Sequence, residues 1–189
     1  MRSQLTEVES RLPRRVDGVH AELKVLGGIF DTLVKEHRAT LKLLRRLALT
    51  DDADLREELF PRVRQQLVVH EQAENAVLYP LLRSHAATHE LAKKNDGAAR
   101  RIEVILGCLS GYSFDNPEWR STAQTLLEIV EQHIDDEETG YFPKAQRALG
   151  AQITQELNER YQEYREQLNQ GEQGEREVEP QPAPPSERP

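Results

Sequence analysis

The sequence is short of cysteine, of aromatic residues and of unbroken apolar runs. A single cysteine, Cys108, excludes both an internal disulfide framework and a thiolate metal cage. No apolar run approaches the ~18 residues that a membrane span needs, and the mean hydropathy is -0.72. Positive charge is also scarce: 25 Lys and Arg stand against 33 Asp and Glu, a net charge of -8 at pH 7. Such a chain repels a phosphate backbone, so neither nucleic acid nor a membrane surface is an expected partner. The opening MRSQLTEVESRLPRR lacks the apolar core of a secretory signal. No Ser/His/Asp order, glycine-rich phosphate loop or CxxC is found. The expectation is a cytoplasmic, water-soluble, all-α protein of 189 residues with one main domain.

Helical periodicity then organises the chain. Residues 1–20 read as an N-terminal extension, where Leu5, Val8 and Leu12 are compatible with a short helix before Pro13. Residues 171–189 are charged and proline-rich, without apolar spacing, and read as a disordered tail. Residues 21–170 carry four strong helical stripes and a fifth, weaker one over Ile153 to Leu168. Thr50-Asp51-Asp52 marks the start of the second helix, and Pro61 inside it marks a kink or restart. Asp115-Asn116-Pro117 opens the fourth helix, and Gly150 closes it. Long helices with short connections predict an up-down-up-down four-helix bundle with an extra C-terminal helix.

The stripes are interrupted by polar residues at one depth. Phe30 and Leu33 lead to His37; Val63 and Leu67 lead to His70, Glu74 and Leu78; Leu126 and Val130 lead to His133, Glu137 and Tyr141. Three histidines and two glutamates therefore face inward, and each HxxxE pair lies on one helix face. A buried carboxylate without a partner costs several kcal/mol. Without a cation, burial and mutual repulsion are expected to raise both Glu74 and Glu137. Imidazole with carboxylate suits iron, zinc or manganese, and iron is favoured where oxygen ligands are many.

The segments FDTLVKEHRATLKLL, VVHEQAENAVLYPLL and DNPEWRSTAQTLLEIVEQHIDDEETGYFPKAQRAL resemble the hemerythrin-like, HHE cation-binding family, from about Ile29 to Leu149. The resemblance implies two non-haem irons in the bundle. It assigns His37, His70 and His133 as terminal ligands and Glu74 and Glu137 as bridging carboxylates. It also implies a histidine on the third helix, near Ala99, which this chain lacks. Asp96, one turn away on that face, is the expected replacement. His89 takes the role if the helix starts late, and Glu71 is a further candidate. His85 sits on the order of 12 Å from the ligand level if the third helix starts near Ser84. His20 precedes the matched region and reads as a surface or packing residue, and Cys108 as a packed, inert thiol. Tyr79 and Tyr141 read as core residues within reach of the site.

The resulting expectation is a non-haem di-iron protein that binds or senses dioxygen, a related small oxidant or iron. The alternatives are a di-metal enzyme acting on peroxide or a nitrogen oxide, and a helical interaction bundle with a degenerate site. Fewer imidazoles at the second iron argue against reversible oxygen carriage.

Overall fold

A computed structural model describes residues 26–86 and 88–176, without the side chains of 91, 94–96 and 171–176. The N-terminal extension and residues 177–189 lie outside the described residues. Among those described there are helices and turns only. The helices are α1 (Ile29–Leu49), α2 (Ala53–Val77), the short α3 (Tyr79–Ser84), α4 (His89–Gly111), α5 (Pro117–Asp135) and α6 (Phe142–Arg176). A π-helical turn, Asp136–Tyr141, joins α5 to α6. None of these helices is long and apolar enough to cross a membrane.

Local chemistry sets most boundaries. The Asp52 carboxylate caps α2 by accepting from the amides of Asp54 and Leu55. Asn116 caps α5 in the same way, with Pro117 at its first turn. Pro61 does not break α2, which runs on to Val77 with the proline inside it. The sequence Asn95-Asp96-Gly97 likewise stays helical within α4. Gly150 bends α6 through φ 79°, a left-handed value that suits glycine. Residues 151–176 then continue as a separate helical limb, past the tail boundary drawn at Gly171.

The four long helices pack around two apolar clusters. One joins Phe30, Leu33, Ala73, Val77, Tyr79, Phe142, Ala145, Leu157 and Tyr161. The other joins Leu44, Leu47, Leu59, Val63, Ile102, Leu106, Trp119, Leu126 and Val130. Between them lie buried polar side chains: His37 on α1, His70 and Glu74 on α2, and His133 on α5. The 3.6-residue period carries the same helix face from one cluster to the other, so these side chains must point inward too.

Two readings of this packing change with the structure. Cys108 is exposed. It stands between Leu106 and Leu109 in sequence, but at about 100° per residue it lies nearly opposite Leu106 and a quarter-turn or more from Leu109, off the face the two leucines share. After Glu137 the buried stripe passes to Phe142, which is 1 % exposed, while Tyr141 is only half-buried. The π-helical turn explains this shift. The Phe142 amide donates to the Glu137 carbonyl five residues back, so one extra residue is spent before the core face returns.

Candidate metal centre

Seven ionisable side chains meet in the polar layer. His37 comes from α1, His70, Glu71 and Glu74 from α2, His133 from α5, and Glu137 and Glu138 from the π-helical turn. Six of them form two groups whose nearest ligand atoms lie within 4.8 Å of one another: His37, His70 and Glu137, and Glu71, Glu74 and His133.

Glu137 and Glu74 link the groups. Glu137 Oε2 lies 3.4 Å from His37 Nε2 and 3.6 Å from His133 Nε2. Glu74 Oε2 lies 3.6 Å from His70 Nε2. Glu71 Oε1 stands 2.9 Å from His133 Nε2, but out of line for a hydrogen bond. Separations of this size are those of neighbouring ligands around one ion with bonds of about 2.0–2.2 Å.

The orientation of the imidazoles is the sharpest observation. His37 Nδ1 donates to Glu138 Oε1 at 2.9 Å, and His70 Nδ1 donates to Glu36 Oε2 at 3.0 Å. With its outer nitrogen donating, each ring turns Nε2 inward, and a neutral ring in that tautomer offers a lone pair there. These two nitrogens are only 3.1 Å apart. A shared proton or a cation must reconcile them. Both Glu74 oxygens, Glu71 Oε2, Glu137 Oε2 and His133 Nε2 are also buried without a hydrogen-bond partner. Orphaned acceptors of this kind are costly alone and suit a shared cation. The donor set therefore fits two metal ions.

The charges bear the same mark. Burial and the neighbouring Glu137, Glu71 and Glu36 carboxylates push the Glu74 carboxyl well above its ordinary value. Burial also works to raise Glu137, but His133, His37 and the Tyr79 hydroxyl outweigh it and hold it down to about 2. The expectation that both carboxyls rise is thus corrected: Glu137 faces two imidazoles and a phenol, Glu74 mainly other carboxylates. Burial works to lower His133, but Glu137 and Glu71 raise it to about 9. His37 is raised as well, by Glu137 and Glu138 against its burial.

Asp96 falls within α4, and its side chain is outside the described residues. The late helix start is found at His89, yet His89 is turned away: its exposed ring donates to the Arg83 carbonyl at 2.7 Å. His85 is exposed beyond the end of α3. Among the described residues Glu71 supplies the third group of the second cluster. Beside Glu71 a groove of about 620 Å³ opens between α2 and α4, lined also by Arg64, Gln72, Ala99 and Arg100.

Sequence reading missed Glu36, Glu138, Tyr161 and Arg165. The first two are chain neighbours of ligands, one position off the buried stripe. Tyr161 sits on the weak fifth stripe, and its only signal was the spacing of Leu157, Tyr161, Tyr164 and Leu168. Tyr79 is not merely packed: its hydroxyl donates to Glu137 Oε1 at 2.6 Å.

Comparison with known proteins decides the family. The hemerythrin HHE cation-binding domain matches residues 28–145. The chain belongs to this family. A solved HHE cation-binding-domain protein from Mycobacterium kansasii shares the fold, with a TM-score of 0.69 at 19% identity, over 81% of this chain and 94% of that one. A DNA nickase from Nostoc sp. (strain PCC 7120) is 28% identical over 131 residues, 68% of this chain. The match spans 36% of that longer protein. All seven side chains of the polar layer fall inside the HHE match, whereas Tyr161 and Arg165 fall outside it.

Proposed function

We propose that this HHE domain is a non-haem di-iron protein that binds or senses dioxygen, a related small oxidant or iron. The observation that carries the reading is the pair of inward Nε2 atoms at 3.1 Å, each ring held from behind by a carboxylate. His37, His70 and Glu137 would hold one ion, and Glu71, Glu74 and His133 the other, with Glu74 and Glu137 reaching both. Three imidazoles and several carboxylates favour iron over softer-ligand metals. Iron, when bound, supplies redox chemistry toward a small oxygen-containing ligand. The protein holds the rings in one tautomer, keeps the layer between two apolar clusters, and fixes Glu137 through the Tyr79 hydroxyl.

A second reading, turnover of peroxide or a nitrogen oxide, is favoured by the second group. It has one imidazole for two carboxylates and lies beside the α2–α4 groove. The activity in the Nostoc relative's name belongs to a protein nearly three times as long as the matched segment, and a net charge of -8 opposes a phosphate backbone.

Elemental analysis after expression with iron should find between one and two irons per chain, with near-ultraviolet charge-transfer absorption in air. Absence of bound iron overturns the reading. Consumption of peroxide by the iron-loaded protein, rather than stoichiometric binding of a small ligand, selects the enzyme.

A further inference from the structure

The helical limb 151–176 lies beyond the family match, yet it reaches the polar layer. It docks along α1 in regular steps. A Cβ at Gly28 would stand 2.4 Å from the Thr154 carbonyl oxygen, so the chains approach more closely there than any side chain allows. One turn on, Thr32 Oγ1 donates to Asn158 Oδ1 at 2.7 Å. A further turn on, Tyr161 donates to Glu36 Oε2 at 2.7 Å, and Arg165 donates to Glu36 Oε1 at 2.5 Å. Both helices ascend together, so the limb runs parallel to α1 with one face on one face.

The steps end at a metal-ligand candidate. Glu36 Oε2 is the acceptor for His70 Nδ1, and the fully buried Tyr161 hydroxyl lies 3.2 Å from the same nitrogen. We propose that Tyr161 and Arg165 are positioning residues for His70, acting through Glu36, so that the C-terminal limb is a working part of the centre. The proposal rests on the metal reading of the site. An imidazole ligand must keep its proton on the outer nitrogen and its ring in one plane. A carboxylate at Nδ1 does both, provided the carboxylate itself is fixed. Here each Glu36 oxygen has its own clamp: Tyr161 on the oxygen that faces His70, Arg165 on the other. An isolated HHE segment ending at residue 145 would carry Glu36 without either.

The test uses the full chain and ferrous iron alone. Iron affinity is measured by competition with a chelator for wild type, Glu36→Gln, Tyr161→Phe, Arg165→Met and Arg165→Lys. Asn158→Ala removes a docking bond without touching Glu36 and reports a purely structural role. Glu36→Gln should bind iron about 10–100-fold more weakly, as loss of an outer partner typically does. Tyr161→Phe and Arg165→Met should lose about 10-fold, and Arg165→Lys should recover part of it. Asn158→Ala should lower the melting temperature and leave iron affinity within about two-fold, since it leaves these outer partners in place. Nitrogen-15 NMR of the metal-free protein should show His70 protonated at Nδ1, and a smaller share of that tautomer in Glu36→Gln.

Wild-type affinity in Glu36→Gln, Tyr161→Phe and Arg165→Met, or equal iron loss in Asn158→Ala, overturns the proposal. A wild-type chain that takes up no iron refutes the metal reading itself, and this inference with it. The two failures are therefore separable.

Discussion

Two buried charges in this bundle are treated in opposite ways. At the far end of α2, Arg56 is 6 % exposed, but its guanidinium donates to the Thr50 and Phe114 carbonyls and lies over the Trp119 ring. In the polar layer, Glu74 is fully buried and neither of its oxygens has a hydrogen-bond partner. The protein completes one environment from its own atoms and leaves the other incomplete. Since an unsatisfied buried charge is among the costliest features a fold can carry, the incomplete layer marks where an external cation belongs. The Trp119 end serves stability, and the layer around Glu74 gives up stability for binding.

The largest effect should come from breaking the layer. His70→Ala removes an inward imidazole and is expected to lose most of the iron, whereas His85→Ala, at an exposed position, should keep it. Stripping iron from the wild type should lower stability by about 4 kcal/mol when the free metal stands near a thousand times its dissociation constant. Metal analysis and thermal unfolding check both. Retention of iron by His70→Ala would place the centre elsewhere.

The converse change is next in size. Arg56→Met leaves the Thr50 and Phe114 carbonyls without their donor, at a cost of about 2–3 kcal/mol. Iron content should not change, because none of the seven layer residues touches Arg56. Chemical denaturation with parallel iron analysis separates the two ends. A variant that loses iron along with stability would show that the ends are coupled.

How much of this was readable in advance follows from the same contrast. Repetition made the bundle and the inward line of His37, His70, Glu74, His133 and Glu137 legible: apolar residues every three or four positions fix which side is inside. Glu36 and Glu138 have no such signal. Each is the chain neighbour of a ligand and so points to one side of the buried stripe, and only the packing of other helices decides that this wedge is also covered. The π-helical turn is invisible to a 3.6-residue count, so Tyr141 was placed where Phe142 belongs. Tyr161 was obscured because its helix is largely solvent-facing and its apolar stripe is thin.

Acidity tests the layer without mutation. In the metal-free protein His133 is raised to about 9, so its contribution is complete below about 6.5 and is lost as pH rises through 9. Glu137 is held down to about 2, so its contribution is present above its ordinary value and is lost as pH falls toward 2. Because the raised Glu74 carboxyl also sheds stability as pH climbs above its ordinary value, stability of the apo-protein should be highest near about pH 4.5 and fall by more than about 2 kcal/mol by pH 9. The iron-loaded protein should behave differently between pH 7 and 5. There protons compete for the ligand imidazoles, so it should lose iron and stability on acidification. Coincident profiles for the two forms would mean that these imidazoles do not hold the metal.

The smallest change should have opposite signs in the two forms. Glu74→Gln keeps the shape of the side chain, removes its charge, and adds an amide donor among Glu71 and Glu137. A carboxyl raised above its unfolded value holds stability below that value and loses it as pH rises. At neutral and higher pH the native Glu74 therefore weakens the apo-fold. Gln should stabilise the metal-free protein by about 1 kcal/mol at pH 8 and by less at pH 5. With iron present the sign reverses, because an anionic ligand shared by both groups has been lost. Melting curves of wild type and Glu74→Gln, with and without iron at both pH values, give four comparisons. A destabilised apo-variant would show that Glu74 already has an adequate partner in the protein, and that the layer around it is complete without a cation.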